Sequence, residues 1–343
     1  MSEANWVAAV LTLGVTAYAV FGGADFGAGF WSLVSGGSAQ GRRARDLARW
    51  AIGPVWEANH VWLIFVLVVL WTGFSSAFEA VFSTLFIPLS LAALGIVLRG
   101  AGFAFQNTAR RLTGRAIAER IFEVSSILTP FFLGTVVGAI ASGRVPVGNA
   151  SGDPVTSWVN PLSLLIGVLF LATSAYLSAV FLVSDARRAG AADLEHYFKL
   201  RALAAGVFAG AVALAGTFVL HADAHYIYSR LTRQALPLVI ISALCGLGVL
   251  VLMRRDTPRG ARPLAVGAAA AVIWAWGVAQ YPYLLPKALT IAAGAAPSET
   301  LTSILIVFGA AGLLVIPAIV LLYSLAQRSL IAETEPPPVR DAR

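Results

Sequence analysis

The sequence predicts an all-α, polytopic membrane protein of about nine transmembrane helices, with its N-terminus outside and its C-terminus cytoplasmic. Three observations carry that expectation. Only 12% of the 343 residues are charged while 58% are hydrophobic, against about 25% charged in an ordinary soluble domain. The apolar runs are each about 20 residues long, the length that crosses the hydrocarbon core as a helix. They are continuous rather than alternating, so they read as helices and not as barrel strands. Finally, basic residues collect in alternate connections. Twenty of the 24 Lys and Arg fall in the first, third, fifth and seventh connections or in the tail, which the positive-inside rule assigns to the cytoplasm.

In chain order the predicted spans are 5–34, 51–74, 80–99, 121–142, 160–184, 202–221, 235–253, 263–284 and 301–325. The N-terminus, MSEANW, has no basic n-region, so the first run is expected to stay as helix one. The connection GRRARDLARW reads as a short surface helix with Leu47 and Trp50 toward lipid. The stretch between Ser142 and Pro161 is rich in Gly, Pro and Ser and is expected to be irregular. Residues 1–330 are taken as one transmembrane domain, with two four-helix bundles plus a last helix as one division of it. The Pro-rich end, 331–343, reads as a disordered cytoplasmic tail.

Net charge +7 does not point to nucleic acid, because the basic residues sit in short loops where they set orientation. A lone cysteine, Cys245, excludes an intrachain disulfide and a multi-cysteine metal site, and reads as a small buried apolar residue.

Polar residues inside apolar runs are costly and need partners. Asp25 lies in FGGADFGAGF, where small residues let a neighbouring backbone approach. Its carboxylate reads either as a hydrogen-bonded lock between two helices or as a proton carrier. The second run opens with Trp56, Glu57, Asn59, His60 and Trp62 within seven positions. Glu57 and His60 are three apart and share a helix face. His60 reads as a structural histidine, a member of a polar path or a metal ligand. Glu123 reads as a residue favouring the N-terminus of span four, with Ser125, Ser126 and Thr129 extending a polar thread. His221 and His225 have a spacing compatible with zinc, without a third ligand. Trp274, Trp276, Tyr281 and Tyr283 read as an aromatic belt.

These residues resemble subunit II of the cytochrome bd-type quinol oxidases. The resemblance rests on ADFGAG (Ala24–Gly29), on Gly53 to Leu63 with its Trp56-Glu57-Ala58-Asn59-His60-Val61-Trp62-Leu63 core, on Leu98-Arg99-Gly100 with Phe103, and on Trp276 to Pro286. It implies a haem-free second subunit, with haems b and d and quinol oxidation in a partner subunit I. It also leaves a place for a bound quinone, a small accessory subunit and membrane lipid. No catalytic residue and no metal ligand is assigned to this chain. Glu57, Asp25 and His60 are the implied proton path, with Trp56, Asn59, Trp62 and Arg99 as its polar and aromatic surroundings. The expected location is a bacterial plasma membrane.

Two departures from the family pattern stand out. Gly22 and Gly23 occupy a place where a second acid often precedes Asp25. After Arg99-Gly100 the sequence runs Phe103-Ala104-Phe105-Gln106, without the usual acid. Two rival readings are a stand-alone secondary transporter using Asp25 and Glu57, and a haem protein using His60 with His221 or His225. No pair of half-broken helices favours the first, and the histidines of the second lie near opposite faces.

Overall fold

The computed structural model describes residues 2–52, 56–108, 112–255 and 259–327. Helix α1 (Glu3–Ala17) passes through a π-helical turn (Tyr18–Gly22) into α2 (Gly23–Val34), so that the first span is one long rod with a local unwinding in it. Next come α3 (Ala39–Ile52), α4 (Trp56–Gly73), α5 (Ser75–Thr84), α6 (Phe86–Thr108) and α7 (Leu112–Ala141). The second half holds α8 (Pro161–Arg188), α9 (Ala192–Asp223), α10 (His225–Leu231), α11 (Leu236–Arg254) and α12 (Ala261–Gln280). A small antiparallel pair, β1 (Tyr283–Leu285) and β2 (Leu289–Thr290), leads through α13 (Ile291–Gly294) to α14 (Ser298–Gln327). The predicted tail, 331–343, lies outside the described residues.

Among the described residues eight helices are long and apolar enough to cross a membrane. A ninth is obtained if the α4–α5 pair, bent by 118°, counts as one span. The protein is therefore a multi-pass, all-α membrane protein. The bend replaces the simple boundary expected between spans two and three. Gly73 ends α4, Phe74 leaves helical geometry (φ −143°, ψ 57°), and the Ala296 N–H donates to the freed Gly73 carbonyl at 2.9 Å. Predicted span three, 80–99, straddles the end of α5. The continuous helix starts at Phe86, and Pro88 sits in its first turn, where a missing N–H costs nothing.

Helices α2, α7 and α8 form the centre, with α6 packed on α7 and α9 on α8. Two glycines set the spacing. A Cβ on Gly27 would overlap the Ser174 carbonyl of α8, and one on Gly29 would overlap the Ser126 side chain of α7. By contrast α11 and α14 keep mostly exposed apolar faces.

The α3 surface helix is present, but Leu47 does not face lipid. Leu47, Ala44 and Ala48 are fully buried against the core, and Trp50 and Ala51 are half-buried against it. The apolar stripe of α3 is covered because α3 lies back across α2 and α8. Arg43 pins it to Asp193 of α9 with two hydrogen bonds (2.7 and 3.2 Å), and Arg49 pairs with Glu119 of α7 at 2.9 Å. The loop before α8 is irregular, as expected. The Thr156 and Val155 amides donate to Asp153 and hold its carboxyl below the usual carboxylate range.

Candidate functional site: a buried polar seam at α2, α4, α6 and α7

Asp25 sits in the first turn of α2, directly after the π-helical turn. Such turns recur at functional sites because one extra residue re-aims the side chains around it. The Asp25 side chain is buried, and Asn59 Nδ2 of α4 donates to its Oδ2 at 2.6 Å. Arg99 of α6 is only 1% exposed. Its Nη2 donates to the Asp25 backbone carbonyl at 2.9 Å, and its Nη1 donates to Ser126 Oγ of α7. Ser126 in turn donates to the Phe122 carbonyl at 2.6 Å. The guanidinium lies 5.0 Å from the Phe26 ring centroid and 4.5 Å from that of Phe122. A buried cation is thus held by two acceptors and two aromatic faces, the arrangement in which a planar guanidinium outperforms an ammonium.

His60, half-buried, lies against the same centre, with its ring 6.1 Å from Tyr18 and 6.2 Å from Phe26. The Tyr18 hydroxyl is buried and has no hydrogen-bond partner among the described residues. Asp25, Asn59, His60 and Arg99 therefore come together. Trp62 does not join them and packs edge-on against Phe65 at 6.3 Å. The side chains of Trp56 and Glu57 lie outside the described residues, although their backbone forms the first turn of α4.

The structure changes two sequence assignments. Arg99 belongs to no loop: α6 runs on to Thr108, so Arg99 is a mid-helix residue buried in the seam. Glu123 does not start span four, since α7 begins at Leu112 and Glu123 lies three turns inside it. It is 3% exposed, accepts from Ser32 Oγ of α2 at 2.9 Å and accepts from Arg120 at 3.1 Å. Ser125, Ser126 and Thr129 are all buried on the same helix, and the Ser125 and Ser126 hydroxyls both donate to the Phe122 carbonyl. Sequence reasoning passed over Tyr18, Phe26, Ser32 and Phe122. Of these only Tyr18 carries a signal of its own, seven residues and two turns before Asp25.

At the opposite end of the molecule His221, His225 and Tyr228 stack as a cluster, with ring centroids 4.8 to 6.1 Å apart. Among the described residues no three His, Cys, Asp or Glu converge as metal ligands.

A family model described as cytochrome bd terminal oxidase subunit II matches residues 4–326. The chain belongs to that family. It is 23% identical over 323 residues to the putative cytochrome bd menaquinol oxidase subunit II of Bacillus subtilis (strain 168), covering 91% of this chain and 92% of that one. It is 25% identical over 229 residues to the cytochrome bd-I ubiquinol oxidase subunit 2 of Escherichia coli (strain K12), covering 64% and 58%. Its fold matches a chain of the bd oxidase structure from Geobacillus thermodenitrificans with a TM-score of 0.77 and 26% identity, covering 97% of this chain and all of that one. As a subunit II it is part of a quinol:oxygen oxidoreductase complex with a subunit I. The haems of such a complex belong to subunit I. The comparisons lend no support to a stand-alone transporter.

Proposed function

We propose that this chain stabilises subunit I in a bacterial plasma membrane and carries protons from the cytoplasmic side toward the partner's reaction through Asp25. In this reading the end bearing the basic connections is cytoplasmic, as the charge asymmetry requires. Residues 1–330 act as one transmembrane domain, with 331–343 as its cytoplasmic tail. Oxygen reduction and quinol oxidation take place in the partner, and this chain holds and moves protons.

The observation that carries the reading is how Asp25 is held. A carboxylate buried in a membrane helix is expensive and is retained where it is paired or functional. The partner on Asp25 Oδ2 is the neutral amide of Asn59, which can remain bound whether the carboxyl is ionised or protonated. Asn59 stands two residues after Glu57 on the first turns of α4, at the basic end. Glu57 is therefore placed in sequence to take up protons, and Asp25 to receive them. His60 and the Tyr18 hydroxyl border the same centre and can orient water in it.

The test uses the assembled complex, with haem content as the measure of assembly and quinol-driven oxygen consumption as the readout. Glu57→Gln and Asp25→Asn are expected to slow turnover about tenfold or more, the scale at which loss of a positioned proton-transfer group is felt. Glu57→Asp is expected to retain more activity than Glu57→Gln. Native turnover for both amide variants, with native haem content, sinks the relay.

A further inference from the structure

The relay through Glu57 leaves the buried carboxylate of Glu123 without a task. One of its oxygens faces α2, where Ser32 Oγ donates to it, and the other faces Arg120, whose side chain is 67% exposed. The carboxyl group thus connects the interior of the α2–α7 seam to an exposed guanidinium. From Glu123 the seam continues one turn deeper on both helices. On α7 this is Ser126, three residues on. On α2 it is Gly29, three residues back from Ser32. The missing Cβ of Gly29 is what lets Ser126 Oγ lie against the α2 backbone, and a Cβ there would also stand 3.3 Å from Arg99 Nη1. Arg99 then bridges Ser126 to the Asp25 backbone carbonyl; a guanidinium has donors and no acceptor, so it lines the route without itself passing a proton. Asp25 and Ser32 are seven residues apart on one helix, about 10 Å at 1.5 Å per residue. The interval is lined by the Ser32 and Ser126 hydroxyls and the Arg99 guanidinium.

We infer that Glu123 is a second proton-uptake group, separate from Glu57, which feeds Asp25 along the α2–α7 seam. The inference rests on the reading of Asp25 given above. Glu123 takes a proton from water on its Arg120 side and releases it on its Ser32 side to water held between the Ser32 and Ser126 hydroxyls, which carries it to the Asp25 carboxylate; Glu123 is then a carboxylate again. The charged groups around it are Arg120 and Glu119 on α7, Asp25 on α2, Arg99 on α6 and Arg49 on α3. Glu119 is held by Arg49 at 2.9 Å. The sequence has no acidic residue between Arg99 and Glu119.

The experiment compares Glu123→Gln, Glu123→Asp and Asp25→Asn in the assembled oxidase, reading quinol-driven oxygen consumption from pH 6 to pH 9 with haem content measured in parallel. Glu123→Gln keeps an acceptor for Ser32 and removes the titrating group. It is expected to cut turnover severalfold, more at alkaline pH where protons are scarce, with native haem content. Glu123→Asp is expected to restore at least half of the activity and the native pH profile. If Glu123→Gln matches the native complex at every pH while Asp25→Asn is slow, this inference is overturned and the Asp25 reading stands. If both variants match the native complex, both readings fall. If Glu123→Gln does not assemble, Ser32→Ala decides: slowing that grows with pH supports the relay, and a native pH profile overturns it.

Discussion

Asp25 and Asp185 are both buried aspartates near a buried or half-buried arginine, and the structure treats them in opposite ways. At Asp185 of α8 the carboxylate itself is clamped. Arg262 of α12 donates to Oδ1 at 2.6 Å and to the Phe181 carbonyl at 2.7 Å, and Arg188 reaches the same oxygen. At Asp25 the arginine takes the backbone carbonyl instead, and the carboxylate receives a neutral amide. Both guanidiniums also rest on phenyl rings, Arg262 at 5.2 Å from Phe181 and Arg99 at 5.0 Å from Phe26. The residue types are the same, and the difference lies in which oxygen the cation holds. A carboxylate with two cations on it ties α8 to α12. A carboxylate with a neutral amide on it can keep that hydrogen bond in either protonation state.

The strongest way to break this comparison is to remove one charge at each site. Asp25→Asn is expected to leave an assembled, haem-replete complex with severely reduced oxygen consumption. Asp185→Asn is expected to do the reverse, with reduced thermal stability and near-native turnover in what assembles. Removing one member of a buried pair costs 3–5 kcal/mol at full burial, and because Arg188 and Arg262 are 39% and 27% exposed the loss here should be about 2 kcal/mol. Thermal unfolding of the purified complex and its specific activity, measured on the same samples, check both halves. If Asp185→Asn abolishes turnover at full stability, the distinction between a clamp and a carrier is wrong.

How much of this was legible in the sequence follows from length and burial. The apolar runs located the spans because crossing a bilayer demands a continuous run of fixed length. Asp25 and Asn59 stood out because a polar residue within such a run has few excuses. Arg99 and Glu123 were named but misplaced, as the end of one span and the start of another, because α6 and α7 extend past the apolar windows. Charges near the end of a run look like loop charges until the packing of α2 against α7 shows them buried. Leu47 failed for a related reason. An amphipathic helix shows which face is apolar, but not whether lipid or another helix covers it. The bend between α4 and α5 had only Gly73 to announce it, and its staple, the Ala296 amide, is more than 200 residues away.

Arg262 shares Asp185 with Arg188, whereas Arg99 serves Ser126 and the Asp25 carbonyl. Lysine keeps the charge and loses the planar fork. Arg99→Lys can no longer serve both Ser126 and the Asp25 carbonyl, and a buried acceptor left without its donor costs about 1–3 kcal/mol. It should also slow turnover, because the seam from Ser126 to Asp25 is broken. Arg262→Lys can still reach Asp185, with Arg188 beside it, so the expected loss is about 1 kcal/mol with turnover intact. Activity per haem and the thermal midpoint of the two variants separate these outcomes.

The smallest effect should come from the best-looking ion pair. Arg43 and Asp193 meet through two hydrogen bonds, yet their side chains are 31% and 42% exposed. Water and salt already solvate both groups, and the pair must hold two side chains in one geometry, so Arg43→Ala should cost about 0.5 kcal/mol or less. That cost should shrink further between low and high ionic strength, because exposed charges are screened within about 10 Å at 0.1 M salt. The α3 helix should stay docked without the pair, since Ala44, Leu47 and Ala48 supply the buried contact. Thermal unfolding at low and high salt is the measurement. A loss as large as that of Asp185→Asn, unmoved by salt, would mean that burial does not separate the clamp from the surface pair, and the argument from which atoms the cations hold would lose its footing.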